Sequence, residues 1–188
     1  LGSEVTVVSR GDHILLKEDD AIAKNMQKVL ESEGMKVVVE ANPVRFEKNV
    51  LVYRKYERSV KKMIGAELRV GFDQVLIATG RALNIDDLGL EKAGVAVKDR
   101  KIVLDSALRT TNKKIYVCGD AGGQFLFTHW AETEAKYVIT NMLSPFKKKP
   151  NVESVAWVTY TDPEIATFGR QEADLERGSY SVISQSLS

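Results

Sequence analysis

Residues 4–40 run strand, helix, strand, and this order narrows the fold more than any other stretch of the chain. Glu4 to Ser9 (EVTVVS) is mostly apolar and β-branched, as strands buried inside a parallel sheet are. Asp19 and Asp20 then open a helical pattern with Ile22, Met26, Val29 and Leu30 at i, i+4, i+7 and i+8. Acidic residues suit the positive end of a helix dipole, and Gly34 stands where a left-handed C-terminal cap belongs. Lys36 to Glu40 (KVVVE) is the next strand. This is part of a βαβ unit, so the chain is expected to be α/β with a parallel sheet.

Further on, Val50 to Tyr53 and Glu67 to Val70 read as strands of a small antiparallel meander. Val75 to Ala78 is a fully apolar strand ending at Thr79-Gly80-Arg81. Lys101 to Leu104 and Lys114 to Cys118 are strand-like, and the second runs straight into Gly119-Asp120-Ala121-Gly122-Gly123. A helix is expected from about His129 to Leu143, with Ala131, Ala135, Val138, Ile139 and Met142 on one face. Pro145 and Pro150 bracket a basic connector, a reasonable domain boundary. Beyond it, Val155 to Tyr160 and Tyr180 to Ser184 read as strands, with a short helix near Gln171 to Glu176.

Composition excludes some classes of function. Lys plus Arg is 27 against Asp plus Glu at 26, a net charge of +1, which gives no general attraction to nucleic acid or an anionic membrane. Lys147-Lys148-Lys149 reads as a solvated linker. With 44% hydrophobic residues the chain can form a core without disulfides, and the single cysteine, Cys118, cannot make an internal bridge. No apolar stretch approaches the roughly 20 residues that span a bilayer. A soluble, intracellular protein without membrane insertion is expected.

Three places carry chemistry. In a nucleotide-binding βαβ unit, the strand exit that faces the adenosine ribose holds an acid when the 2′-position is a hydroxyl. Here that exit is Ser9-Arg10, with Lys17 shortly after, which favours NADPH over NADH because a guanidinium can grip a phosphate. An ordinary exposed arginine at a strand end is the alternative. Second, Asp120 follows a strand and is flanked by glycines, so it can accept hydrogen bonds from sugar-type hydroxyls or simply serve an Asp-Gly turn. Third, Thr128-His129 begins a helix, whose free N–H groups suit an electron-rich carbonyl. His129 is read as a helix-start residue facing a ligand or solvent, because no nucleophile stands at a partner's spacing. Cys118 is read as a buried structural residue, and two histidines with one cysteine make no metal site.

The series LGSEVTVVSR, VLIATGRALN, LGLEKAGV, RTTNKKIYVCGDAGG, FLFTHWAETEA and VTYTDPEIATFG resembles the pyridine nucleotide-disulfide oxidoreductases, which include dihydrolipoamide dehydrogenase, glutathione reductase and mercuric reductase. The SR exit and the FTHWA and TYTDPE wording are most similar to the mercuric-reductase-like branch. The resemblance implies three modules. Residues 1–82 would be a partial, Rossmann-like NAD(P)-binding domain. Residues 83–150 would be the returning part of the FAD domain. Residues 151–188, with Thr161 to Glu164 as TDPE, would begin an α+β dimerisation domain.

By the same resemblance, Asp120, with Gly119 before it, would bond the ribityl chain of FAD. The Thr128-His129 backbone would face the flavin pyrimidine ring. Gly80 and Arg81 would lie near the nicotinamide nucleotide, and Arg10 with Lys17 near its 2′-phosphate. The full-length protein would be a homodimer that takes hydride from NAD(P)H and reduces a disulfide or related small-molecule acceptor. No G-x-G-x-x-G turn and no cysteine pair occur, so the chain is expected to be a catalytically incomplete fragment with no catalytic residue of its own. A non-catalytic flavoprotein-like subunit of a larger assembly, or an NADP-binding module without flavin, are the other readings.

Overall fold

A computed structural model describes residues 2–185. It divides into two units, Leu1–Ala78 with Gln171–Ser188, and Thr79–Arg170.

In the first unit, β1 (Thr6–Val8) and β2 (Lys36–Val38) pair in parallel, Val7 opposite Val37, with α1 (Asp20–Ser32) between them in the chain. The helix ends as its sequence demands. Gly34 takes φ +97 and its N–H bonds the Glu31 carbonyl at 3.0 Å, while Met35 N–H bonds Leu30 at 3.1 Å. This paired bonding is a left-handed cap in which only glycine is unstrained. The buried side of α1 is Ala23 and Met26, whereas Ile22, expected on that side, is exposed.

The expected strand to Glu40 stops at Val38. Glu40 has φ +50 and its N–H turns to the Gly11 carbonyl at 2.6 Å, while Ala41 N–H bonds Ser9 at 2.9 Å. The chain thereby leaves the parallel pair and enters a meander of β3 (Ala41–Glu47), β4 (Val50–Glu57) and β5 (Lys62–Gly71). Both anticipated strands are present and longer than their apolar cores. β3 was not anticipated. Pro43 is tolerated in it because β3 is an edge strand, and the register shifts between Pro43 and Arg45. Across the meander, Arg45 holds Glu67 through two 2.7 Å bonds and also bonds Glu47.

Two expected strands are not strands. Val75 to Ala78 is irregular, with Leu76 88% exposed, and Tyr180 to Ser184 is likewise unpaired, with Ile183 92% exposed. Among the described residues the parallel sheet has only β1 and β2, so these apolar runs find no neighbour to hydrogen-bond. The helix expected near Gln171 is a single 3-10 turn, Glu172–Asp174. It is tied to the first unit by Asp19, whose carboxylate accepts from Glu172 N–H at 3.0 Å.

The second unit is built on a small core of Ile85, Val95 and Ile102, with Leu83, Leu90 and Val117 packed against it. β6 (Val97–Lys98) and β7 (Lys101–Ile102) form a hairpin whose two loop residues, Asp99 and Arg100, both have positive φ, as the tightest hairpin turn requires. The strand expected over Lys114 to Cys118 shrinks to one bridge, Arg109 to Tyr116. Beside the backbone bonds of Ile115 and Val117, a side chain helps to hold this stretch. Asn112 donates to Ala93 O at 2.6 Å and accepts from Lys114 N–H at 3.1 Å. Cys118 is therefore exposed rather than buried. α2 (Thr128–Leu143) follows, and the antiparallel pair β8 (Ala156–Thr159) and β9 (Ile165–Phe168) closes the unit. Among the described residues no helix is long and apolar enough to cross a membrane.

Candidate cofactor site

α2 buries Trp130, Glu134 and Asn141 most deeply, while Ala131, Ala135 and Val138 of the face read from its sequence are half-buried. Ile139 and Met142 from that face are exposed, Met142 at 60%. The buried stripe follows i, i+4 and i+11 spacing, but two of its three members are polar, so hydropathy periodicity misplaces it. Each polar member is buried because every bond it needs is met. Asn141 donates to Ala107 O at 3.1 Å and Lys148 O at 2.8 Å, and accepts from Lys148 N–H at 2.7 Å.

Glu134, a charged residue that hydropathy assigns to the surface, is buried beneath the Asp120 turn. It is 2% exposed and lies under the Gly119–Gly122 turn. Its carboxylate accepts from Gly119 N–H at 2.7 Å and from the Trp130 indole N–H at 2.8 Å. Burial pushes its carboxyl above the ordinary glutamate range, opposed by those two bonds. The signal was present: a Trp and a Glu four apart at the start of a helix that follows a glycine-bounded turn.

The turn itself is close-packed. Gly119 has φ +73, and a Cβ there would meet the Ala131 Cβ at 3.1 Å, so helix and turn approach as only glycine permits. Asp120 is carried to the outer side, where a cavity of about 300 Å³ is lined by residues 81–84, Asp120, Ala121 and Leu126. Arg81 faces Asp120 across it at 3.8 Å, both well exposed at 68% and 60%. Gly80, next to Arg81, has φ +115. Two motifs expected at different cofactors, Gly80-Arg81 and Gly119-Asp120, thus meet at one cavity.

Thr128 and His129 begin α2 in the same unit and are exposed. The His129 ring lies on Phe127 at 5.5 Å and Phe127 on Trp157 at 6.2 Å, both nearly parallel. Its Nε2 is 2.7 Å from the Ala156 carbonyl, an acceptor, so Nε2 carries the proton and donates. Trp157 is the outer ring of this stack.

Ser9, Arg10 and Lys17 belong to the first unit. Ser9 Oγ accepts from Gly11 N–H at 3.2 Å, and the Arg10 guanidinium sits 5.7 Å from the Tyr56 ring centroid. Lys17 is exposed, and its carbonyl accepts from the Gln171 side-chain amide. His13, buried beside this loop, bonds Ile14 O at 2.6 Å and Asp20 at 3.1 Å. Lys24 first, then His13, holds the Asp20 carboxyl below its ordinary range. Among the described residues, no three His, Cys, Asp or Glu side chains gather to hold a metal ion.

These features suit parts of two dinucleotides. A hydroxyl-bearing chain fits a cavity offering an exposed carboxylate with an arginine 3.8 Å from it, and a phosphate fits an exposed guanidinium at a strand exit. At about 300 Å³ the cavity matches the low end of small-molecule sites and would take a portion of such a ligand.

The fold is α/β, with a Rossmann-like parallel pair. The family model described as "Pyridine nucleotide-disulphide oxidoreductase" matches residues 1–135, and the chain belongs to that family. It is 33% identical to a mercuric reductase from Lysinibacillus sphaericus, over 97% of this chain and 33% of the relative. It is 30% identical to a dihydrolipoyl dehydrogenase from Mycoplasma genitalium, over all of this chain and 39% of the relative. Among solved structures, the HOCl-induced flavoprotein disulfide reductase RclA from Escherichia coli, as its Cu(II) complex, superposes with TM-score 0.73. That pair is 28% identical, over 92% of this chain and 38% of RclA. The chain thus spans about a third of the length of the relatives it matches.

A titration prediction follows from the burial of Glu134. A folded-state carboxyl raised above its ordinary range binds its proton more tightly folded than unfolded. Its stabilising contribution is therefore fully present below the unfolded value and lost as pH rises through the folded one. Relative to Glu134→Gln, which does not titrate, the wild-type chain should gain stability as pH falls from 7 toward the ordinary glutamate range. Urea unfolding of both proteins at several pH values checks this. A difference that stays flat, or grows with rising pH, would contradict the assignment.

Proposed function

We propose that this chain forms part of a flavoprotein oxidoreductase that passes hydride from NAD(P)H to FAD and electrons on to a disulfide or related acceptor. The observation that carries the reading is Asp120, open to a cavity while Glu134 and Ala131 fix its turn from beneath. When bound, FAD supplies the two-electron chemistry between nicotinamide and disulfide. The chain's own residues bind and orient. Asp120 accepts hydrogen bonds from ribityl hydroxyls. The first backbone N–H groups of α2, at Thr128 and His129, would hold a pyrimidine carbonyl of the flavin and favour negative charge there. Gly80 and Arg81 stand at the nicotinamide nucleotide, and Arg10 and Lys17 at a 2′-phosphate, which makes NADPH the favoured reductant. With Cys118 as its single cysteine the chain supplies no dithiol couple, so acceptor chemistry is assigned to thiols it does not contain.

In the same reading, residues 1–82 serve the nicotinamide nucleotide, 83–150 the flavin, and 151–188 open a dimerisation domain that makes the complete protein a homodimer. Phe168 and Tyr160, exposed on and beside the β8–β9 pair, agree with that last assignment.

Purified wild-type protein should be yellow and release FAD on denaturation. Asp120→Ala should weaken FAD binding by about tenfold or more, the worth of a hydrogen bond to a charged group. It should barely change thermal stability, because Asp120 touches only a solvent-exposed Arg81 at 3.8 Å. Flavin content unchanged by Asp120→Ala would remove the central claim, as would a folded wild-type protein that takes up no FAD.

A further inference from the structure

We propose that Arg58, just past the end of β4, neutralises Asp12 and so makes the loop after β1 selective for a nucleotide bearing a phosphate monoester on its ribose. This rests on the proposed NADPH-binding role of Arg10.

The loop is welded to the meander. Ala41 N–H bonds Ser9 O at 2.9 Å, Glu40 N–H bonds Gly11 O at 2.6 Å, and Tyr56 N–H bonds Glu40 O at 2.6 Å. Two side-chain links run along this seam in the same order. The Arg10 guanidinium lies over the Tyr56 ring at 5.7 Å, and two residues further along each segment Arg58 Nη1 bonds Asp12 Oδ1. Tyr56 fixes where Arg10 points, and Arg58 fixes Asp12.

The charge balance decides the preference. Asp12 lies two residues from Arg10, half-exposed, and an unpaired carboxylate there would cancel Arg10 and repel a phosphate dianion. The other groups facing Asp12 cannot substitute for Arg58. His13 Nε2 is 3.6 Å away but sits nearer Asp20 at 3.1 Å, and Asp20 also engages Lys24. Lys17, the loop's second cation by sequence, forms no ion pair with Asp12 among the described residues, and its backbone carbonyl accepts from Gln171. Arg58, which stands 46 residues from Asp12 in the chain, takes up the carboxylate next to Arg10, so that Asp12 does not oppose a phosphate at that guanidinium.

The test is calorimetric titration of NADP⁺ and NAD⁺ into the complete polypeptide that carries this chain. Arg58→Gln should raise the Kd for NADP⁺ by about tenfold while moving that for NAD⁺ less than twofold. Asp12→Asn should tighten NADP⁺, and the double variant should return the NADP⁺/NAD⁺ ratio toward wild type, because neither charge then remains. Matching melting temperatures would show that each variant is folded. If the wild type prefers NADP⁺ and Arg58→Gln leaves the ratio unchanged, this inference falls while the proposed function stands. If the wild type binds neither dinucleotide, both fall.

Discussion

Replacing Glu134 by alanine is expected to destabilise the second unit by about 2–4 kcal/mol, since two buried donors lose their only acceptor and each such loss costs about 1–3 kcal/mol. The Gly119 N–H and the Trp130 indole both point at this carboxylate, at 2.7 and 2.8 Å. Some of the loss is offset, because a carboxylate buried without a cation carries a desolvation cost that the variant no longer bears. Both tryptophans, Trp130 and Trp157, lie in the second unit, so urea unfolding followed by tryptophan fluorescence reports on that unit alone. The variant should also lose the flavin, because the turn carrying Asp120 is no longer held. Glu134→Gln separates the two effects. It keeps an acceptor for one donor but turns an amide N–H toward the other, so it should fall between wild type and alanine. Wild-type stability and flavin content in Glu134→Ala would show that the turn is held by Gly119 packing on Ala131 instead.

Asn141→Ala is expected to cost a similar amount, about 2–4 kcal/mol, by orphaning the buried Ala107 carbonyl and the part-buried N–H and carbonyl of Lys148. The Asn141 side chain joins Ala107, α2 and Lys148, and the backbone beside it receives the Lys147 amine, which also bonds the Ser144 carbonyl at 2.9 Å at the helix C-terminus. The run of lysines therefore includes one that caps a helix. Asn141→Asp keeps the volume and the acceptor for Lys148 N–H but points a carboxylate oxygen at two carbonyls. It should be at least as damaging as alanine at pH 7. An Asn141→Asp protein as stable as wild type would mean that shape, not hydrogen bonding, holds this corner. The midpoint shift in urea, at unchanged slope, is the measurement.

Much of the fold was legible because it is local. β1, α1 with its Gly34 cap, β2, and the cores of β4 and β5 each follow from a periodicity or a cap that a few neighbouring residues set. The motif residues at the cavity were legible too, since glycines around one aspartate have few physical reasons to recur. What failed was non-local. Val75 to Ala78 and Tyr180 to Ser184 have strand composition, yet a strand exists only against a partner, and none is present among the described residues. Lys114 to Cys118 is held by Asn112 and a single bridge, which exposes a cysteine that its apolar neighbours had seemed to bury.

The sequence by itself determined the family, the parallel βαβ start and the glycine-bounded turn that carries Asp120. Only the tertiary structure decided which residues sit beneath those loops. Glu134, Asn141 and Arg58 are charged or polar, so hydropathy assigns them to the surface. Two are buried, and the third is fixed at the loop after β1, because partners distant in the chain complete their bonds. A buried polar side chain is stable only where its partners already stand, and that placement is a property of the folded chain.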